Sequence, residues 1–339
     1  MEKKRIRIDD AVGMVLPHDL TKIIPGKFKG PAFKKGHVIE KKDIPELLKI
    51  GKEHIWLVEL SKAEYHEDEA AEKFRQLAGK NISTTGPQEG KINFISEKDG
   101  ILIVEKDMVN RINHIPDIVF ATKHSLIPVK GGEDVAGIRI VPLATKKSNV
   151  QKVLSFSRNK KPLSVISFVK KAAGLVITGN EVAKGRIKDR FRPVLEGKLK
   201  KYGSYVNSVK YLVDDDNLIR DTILNMKKKC DLILVTGGMS VDPDDVTRTA
   251  IKKAGAHVVS YGAPVLPGNM FLMSYLGKVP LMGIPACGMF HKTTVLDLFL
   301  PLVLAGIKIT REDILKRGYG GYCSHCRECR YPSCAFGKC

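Results

Sequence analysis

From about residue 173 onward the chain alternates short apolar, β-branched runs with amphipathic stretches, a pattern satisfied chiefly by a parallel sheet covered with helices. The expected strands are Gly174-Leu-Val-Ile-Thr178, Val206 to Val213, Leu232-Ile-Leu-Val-Thr236, Ala256 to Ser260 and Val279 to Gly283, each stopped by Gly, Asn, Asp or Pro. Between Asp214 and Cys230, residues Ile219, Ile223 and Met226 fall at i, i+4 and i+7, one face of a helix. The acidic run Asp214-Asp215-Asp216 ahead of them supplies an N-cap and suits the positive helix end. A long apolar helix is expected from about Gly288 to Leu304. The fold class is therefore α/β, a mostly parallel sheet with helices on both faces.

The first part of the chain reads differently, with shorter apolar runs and frequent Pro and Gly, as at Pro25-Gly26, Gly30-Pro31, Gly86-Pro87 and Gly131-Gly132. Its helix candidates are Lys42 to Ile50 and Glu64 to Ala78, and Ile92-Asn-Phe-Ile95 and Gly100-Ile-Leu-Ile-Val104 read as strands. Residues 145 to 162, rich in Lys, Ser and Asn, read as a linker or exposed loop. The expected organisation is an N-terminal α+β segment (1–60), a small β-rich domain with its linker (61–160), the α/β domain (161–308) and a Cys-rich tail (309–339).

Lys and Arg outnumber Asp and Glu by 57 to 37, a surplus that raises the local concentration of anions. The basic residues form no nucleic-acid-binding motif, and aromatics at 6% offer little for base stacking, so nucleic acid is not the expected partner. No apolar run has the length of a membrane span and no secretion signal opens the chain, so a cytoplasmic protein without membrane contact is expected.

The most informative segment is Leu232-Ile-Leu-Val-Thr-Gly-Gly-Met-Ser-Val-Asp-Pro-Asp-Asp-Val-Thr247, an apolar strand running through Gly237-Gly238 into an acidic helix start. Without a Cβ, glycines let backbone N–H groups approach a phosphate, Ser240 adds a hydroxyl, and the helix that follows presents unsatisfied donors. Asp244 and Asp245 would repel that phosphate unless a cation stood between, and Mg²⁺ is the natural mediator. The plain alternative is a tight turn followed by a capped helix entry.

This segment resembles the Gly-Gly-x-Ser … Asp-x-Thr signature of the molybdopterin-binding domain shared by molybdopterin adenylyltransferases and molybdenumtransferases. Upstream, Val176-Ile-Thr-Gly-Asn-Glu181 and Gly185-Arg-Ile-Lys-Asp189 are similar to that family's Thr-Gly-x-Glu loop and Gly-x-Ile-x-Asp element. Downstream, Pro264-Val-Leu-Pro-Gly268 and Gly283-Ile-Pro285 stand where it has its Pro-Gly and Gly-Leu-Pro turns, and the likeness runs from about Ala173 to Gly306. Asp10-Ala-Val-Gly-Met-Val-Leu16 and Lys34-Lys-Gly-His-Val-Ile39 resemble the opening of molybdenumtransferases, which favours that branch.

The resemblance implies that Asp189 and Asp245 are the catalytic acids, serving Mg²⁺, adenylylated pterin or molybdate. It further implies that Thr178, Gly179, Glu181, Thr236, Gly237, Gly238, Ser240, Pro267, Gly268 and Pro285 bind the pterin. Taken alone, Asp189 also reads as the N-cap of a helix beginning at Phe191. Two departures from the family bear on catalysis: Asn269 replaces a lysine, and Ala286-Cys287-Gly288 replaces Gly-Asn-Pro. Cys287 either meets molybdenum or simply fills space.

Five of seven cysteines crowd the last seventeen residues as C-x2-C-x2-C-x4-C-x4-C, namely Cys323, Cys326, Cys329, Cys334 and Cys339. Thiols two residues apart converge on one centre, so this tail is expected to hold Zn²⁺ or a [4Fe–4S] cluster. The expected function is molybdenum-cofactor biosynthesis, with molybdopterin or its adenylylated form bound and Mg²⁺-dependent molybdate insertion or phosphoryl transfer promoted, in a monomer or homo-oligomer. The alternative is a non-catalytic carrier or insertion chaperone docking on a recipient molybdoenzyme; a nucleic-acid-binding regulator would rest on charge alone.

Overall fold

The β-branched runs of the second half pair as their alternation requires. The computed structural model describes residues 2–239 and 246–338. One sheet contains β1 (Ala172–Thr178), β2 (Tyr205–Leu212), β3 (Leu232–Thr236), β4 (His257–Tyr261), β5 (Leu272–Leu276) and β6 (Val279–Ile284), in the order β2-β1-β3-β6-β5-β4. β2, β1, β3 and β6 run parallel, while β5 pairs antiparallel with both β6 and the edge strand β4. All five residues of β3 are buried, as a central parallel strand covered on both faces demands.

The covering helices are α1 (Asn180–Ala183), α2 (Phe191–Lys201), α3 (Asp216–Lys227), α4 (Thr247–Lys253) and α5 (Val295–Leu304). On one face Leu175, Leu232 and Leu234 pack with Leu195 and Leu199 of α2 and Phe299 and Leu302 of α5. On the other, Val176, Ile233 and Val235 pack with Ile219, Ile223 and Met226 of α3 and Ile251 of α4. Each such aliphatic side chain contributes roughly 1.5–3 kcal/mol of burial. The expected cap of α3 is formed by Asp215, whose carboxylate accepts the Leu218 N–H at 2.8 Å. α5 starts later than its apolar pattern predicts, at Val295, because Thr294 and Asp297 form a capping box there.

The chain divides into two compact units, Met1–Ser96 with Val104–Lys123 and Gly132–Ser164, and Glu97–Ile103 with His124–Gly131 and Val165–Cys339. In the first, Ile82–Gln88, Lys91–Ser96, Asp134–Ile140 and Ile118–Thr122 form a four-stranded antiparallel sheet in that order. A separate cluster of Ile8, Leu16, Leu20, Ile39, Leu47 and Ile55 gathers the N-terminal segment. The expected loop over 145–162 is instead mostly the helix Lys147–Phe156, whose Asn149, Val150 and Val153 are buried. Glu67, opening the helix Glu67–Lys73, is only 6% exposed; burial first, then the neighbouring Asp68, pushes its carboxyl up to about 7. No helix among the described residues is long and apolar enough to cross a membrane.

Candidate functional site

β1 and β3 lie side by side, but their chains leave toward opposite edges of the sheet, β1 to β2 at one edge and β3 to β4 at the other. The crevice at their carboxyl ends is the topological switch point, where open α/β sheets bind ligands. β1 ends at Thr178, and β3 ends at Thr236 before the Gly237-Gly238 corner. Both glycines are left-handed, with φ of 85° and 53°. A Cβ on Gly237 would stand 2.2 Å from the Thr178 carbonyl oxygen, and one on Gly238 2.5 Å from Thr247 Oγ1, so this corner requires glycine. Thr247 Oγ1 donates to the Gly237 carbonyl at 3.0 Å and lies 3.4 Å from Thr178 Oγ1, tying α4 to both strand ends.

Above this corner opens a cavity of about 480 Å³ whose lining includes Thr178, Glu181, Asp189, Gly237 and Gly238, residues widely separated in sequence. Asp189 accepts the Phe191 N–H at 2.7 Å and the Arg192 N–H at 3.2 Å, so it caps the start of α2 as well as walling the cavity. Tyr211 donates to the same carboxylate at 3.2 Å. Gly179 turns the chain with φ of 137°, and a Cβ there would meet Glu181 Oε1 at 2.9 Å. Thr236 is fully buried, its hydroxyl unpartnered among the described residues.

Pro267, Gly268 and Pro285 do not line this cavity. The Pro267 carbonyl accepts the Val295 N–H, and a Cβ on Gly268 would lie 2.5 Å from Val295 Cγ1, so that turn seats α5. Pro285 leads into the 3-10 turn Ala286–Met289, and Ala286 and Met289 do reach the cavity. Cys287 is absent from its lining, and burial pushes its thiol up. Ser240 and Asp245 lie outside the described residues.

The motifs missed part of the wall. Lys188 and Arg190 bring positive charge to either side of Asp189, and Phe290, 72% exposed, presents an aromatic face. The two cations flank a motif residue directly, which was a usable signal; Phe290 follows the Gly-Ile-Pro turn and is brought in only by folding.

Four tail thiols, Cys323, Cys326, Cys329 and Cys334, line a second cavity of about 220 Å³, and none is in a disulfide. Cys339 lies outside the described residues. Among the described residues no three His, Cys, Asp or Glu side chains converge as ligands of a single ion.

A family model described as a probable molybdopterin binding domain matches residues 174–305, and another, described as a domain of unknown function, matches residues 5–59. A CinA-like protein of Fervidobacterium nodosum is 30% identical over 136 residues, covering 38% of this chain and 32% of that protein. A CinA-like protein of Thermosipho melanesiensis is 36% identical over 85 residues, covering 25% and 21%. The chain thus spans about a fifth to a third of the length of the curated relatives it matches. The molybdopterin biosynthesis Mog protein from Mycobacterium ulcerans aligns in structure at 20% identity with a TM-score of 0.35, covering 41% of this chain and 99% of that one. The likeness to probable molybdopterin binding domains covers residues 174–305.

Proposed function

We propose that this chain acts in molybdenum-cofactor biosynthesis by binding molybdopterin, or its adenylylated form, between the ends of β1 and β3 and promoting Mg²⁺-dependent molybdate insertion or phosphoryl transfer. The observation that carries this reading is the cavity in which the Gly237-Gly238 corner, two carboxylates (Glu181 and Asp189) and two cations (Lys188 and Arg190) meet. Its volume of about 480 Å³ is that of a small-molecule site.

The side chains divide the work by chemistry. Gly237 and Gly238 both line the cavity, where their backbone N–H groups would meet phosphate oxygens and Ser240 would add a hydroxyl. Lys188 and Arg190 offset the phosphate charge, and Phe290 offers a face to the planar pterin. Asp189 and Asp245 would hold Mg²⁺, with Glu181 within the same cavity; one or two carboxylates plus phosphate oxygens and water is the ion's usual donor set. When bound, Mg²⁺ neutralises charge on the phosphate oxygens.

A carrier without turnover is the second reading, favoured by Asn269 in place of a lysine and by a Pro267-Gly268 turn that faces α5. Incubation with molybdopterin, ATP, Mg²⁺ and molybdate separates the two. Conversion supports the transferase, saturable binding without conversion supports the carrier, and absence of binding contradicts both.

A further inference from the structure

We propose that the C-terminal tail is a [4Fe–4S] site ligated by Cys323, Cys326, Cys329 and Cys334. Cys recurs every third residue from 323 to 329, and His325 adopts a left-handed φ of 48° that curls the loop between the first two. All four thiols consequently face one cavity.

The frame holding them is well tied. The Cys323 N–H donates to the Leu266 carbonyl, the Leu266 N–H to the Gly321 carbonyl and the Gly337 N–H to the Gly320 carbonyl, each at 2.8 Å. Tyr331 donates to the Asp297 carbonyl of α5 at 3.0 Å, and a Cβ on Gly337 would lie 2.5 Å from Leu298, so the tail packs directly on that helix. A loop anchored on both sides has already lost part of the entropy that cluster binding would otherwise take from it.

The arrangement suits a cluster better than a single ion. Zn²⁺ would draw four sulfurs to about 2.3 Å from one point, whereas these four thiols line a cavity of about 220 Å³. A cubane places each thiolate on a different corner iron, which fills a volume instead of a point. Zinc sites also tend to join two short ligand pairs across a longer loop, while three Cys at three-residue steps wrap a cluster.

The surroundings match a thiolate-rich, net-negative centre. Lys292, Arg327 and Arg330 line the same cavity. Thr293 Oγ1 lies 2.9 Å from Cys329 Sγ, where its hydroxyl can donate to sulfur and tune the reduction potential. Ligation releases one proton from each thiol. Phe290 lines this cavity and the pterin cavity alike, so the cluster would stand one side chain from the pterin.

Full-length protein purified anaerobically and reconstituted with ferric iron, sulfide and excess dithiothreitol, whose thiols supply the two electrons that leave the core half ferrous, is expected to carry about four iron and about four acid-labile sulfide per chain, with broad visible absorption that bleaches on reduction. Cys326→Ala and Cys329→Ala should lose most of that iron, while Cys230→Ala, a thiol packed beside Gly174 in the sheet core, should keep it. Zinc without sulfide, iron without sulfide, no metal, or full cluster content in both tail variants each overturns the proposal. The metal and sulfide analysis is made on wild-type protein, so a variant that fails to fold leaves the test intact, and no outcome depends on pterin binding.

Discussion

Thr178 and Gly237 stand back to back, the Thr178 carbonyl oxygen 2.2 Å from where a methyl group on Gly237 would project. With φ at 85° besides, Gly237→Ala adds backbone strain to a steric clash, at a cost of roughly 2 kcal/mol or more. The expected outcome is a lower urea midpoint with an unchanged slope. A wild-type midpoint would mean that the two strand ends separate without penalty.

Lys188 and Arg190 should act on the phosphate end of the ligand alone. Lys188→Ala and Arg190→Ala are each expected to weaken molybdopterin binding about tenfold, or about 1.4 kcal/mol, more so at low salt. Affinity for the dephosphorylated pterin should stay unchanged. Equal losses for both ligands in a titration would remove these cations from phosphate recognition.

Phe290 is 72% exposed, so Phe290→Ala should alter stability by no more than about 0.5 kcal/mol. Loss of ring stacking should still weaken pterin binding by about 1 kcal/mol. Thermal melting and binding measured on the same preparation distinguish the two effects; unchanged affinity would place the pterin ring elsewhere.

Glu67 sets a pH dependence of stability. Its carboxyl is raised from 4.5 to about 7 in the folded chain, chiefly by burial, so the folded state keeps a proton that the unfolded state has released. Stability should therefore fall as pH rises from about 4.5 to about 7 and level off above, by on the order of 2 kcal/mol. Glu67→Gln, which stays neutral, should flatten that decline and be the more stable protein at pH 8. Parallel wild-type and variant curves would exclude Glu67 as the cause.

The sequence expressed the sheet wherever β-branched residues marked it, as in Leu175-Val-Ile177 and Leu232-Ile-Leu-Val235, but β5 was silent because Leu272-Met-Ser-Tyr-Leu276 has none. The helix Lys147–Phe156 was hidden for a related reason, its buried Val150 and Val153 lying among Lys, Ser and Asn. Motif spacing pointed to Thr178, Glu181, Asp189, Gly237 and Gly238, which meet at one cavity. It could not distinguish a turn that faces the cavity from one that seats a helix, which is why Pro267-Gly268 and Gly237-Gly238 looked alike until folded.

A crystal structure of the chain with molybdopterin tests the central claim most directly. The account predicts phosphate oxygens about 3 Å from backbone N–H groups of the Gly237-Gly238 corner, with the pterin ring extending toward Phe290. A phosphate bound away from that corner, with the crevice between β1 and β3 left to solvent, would contradict it.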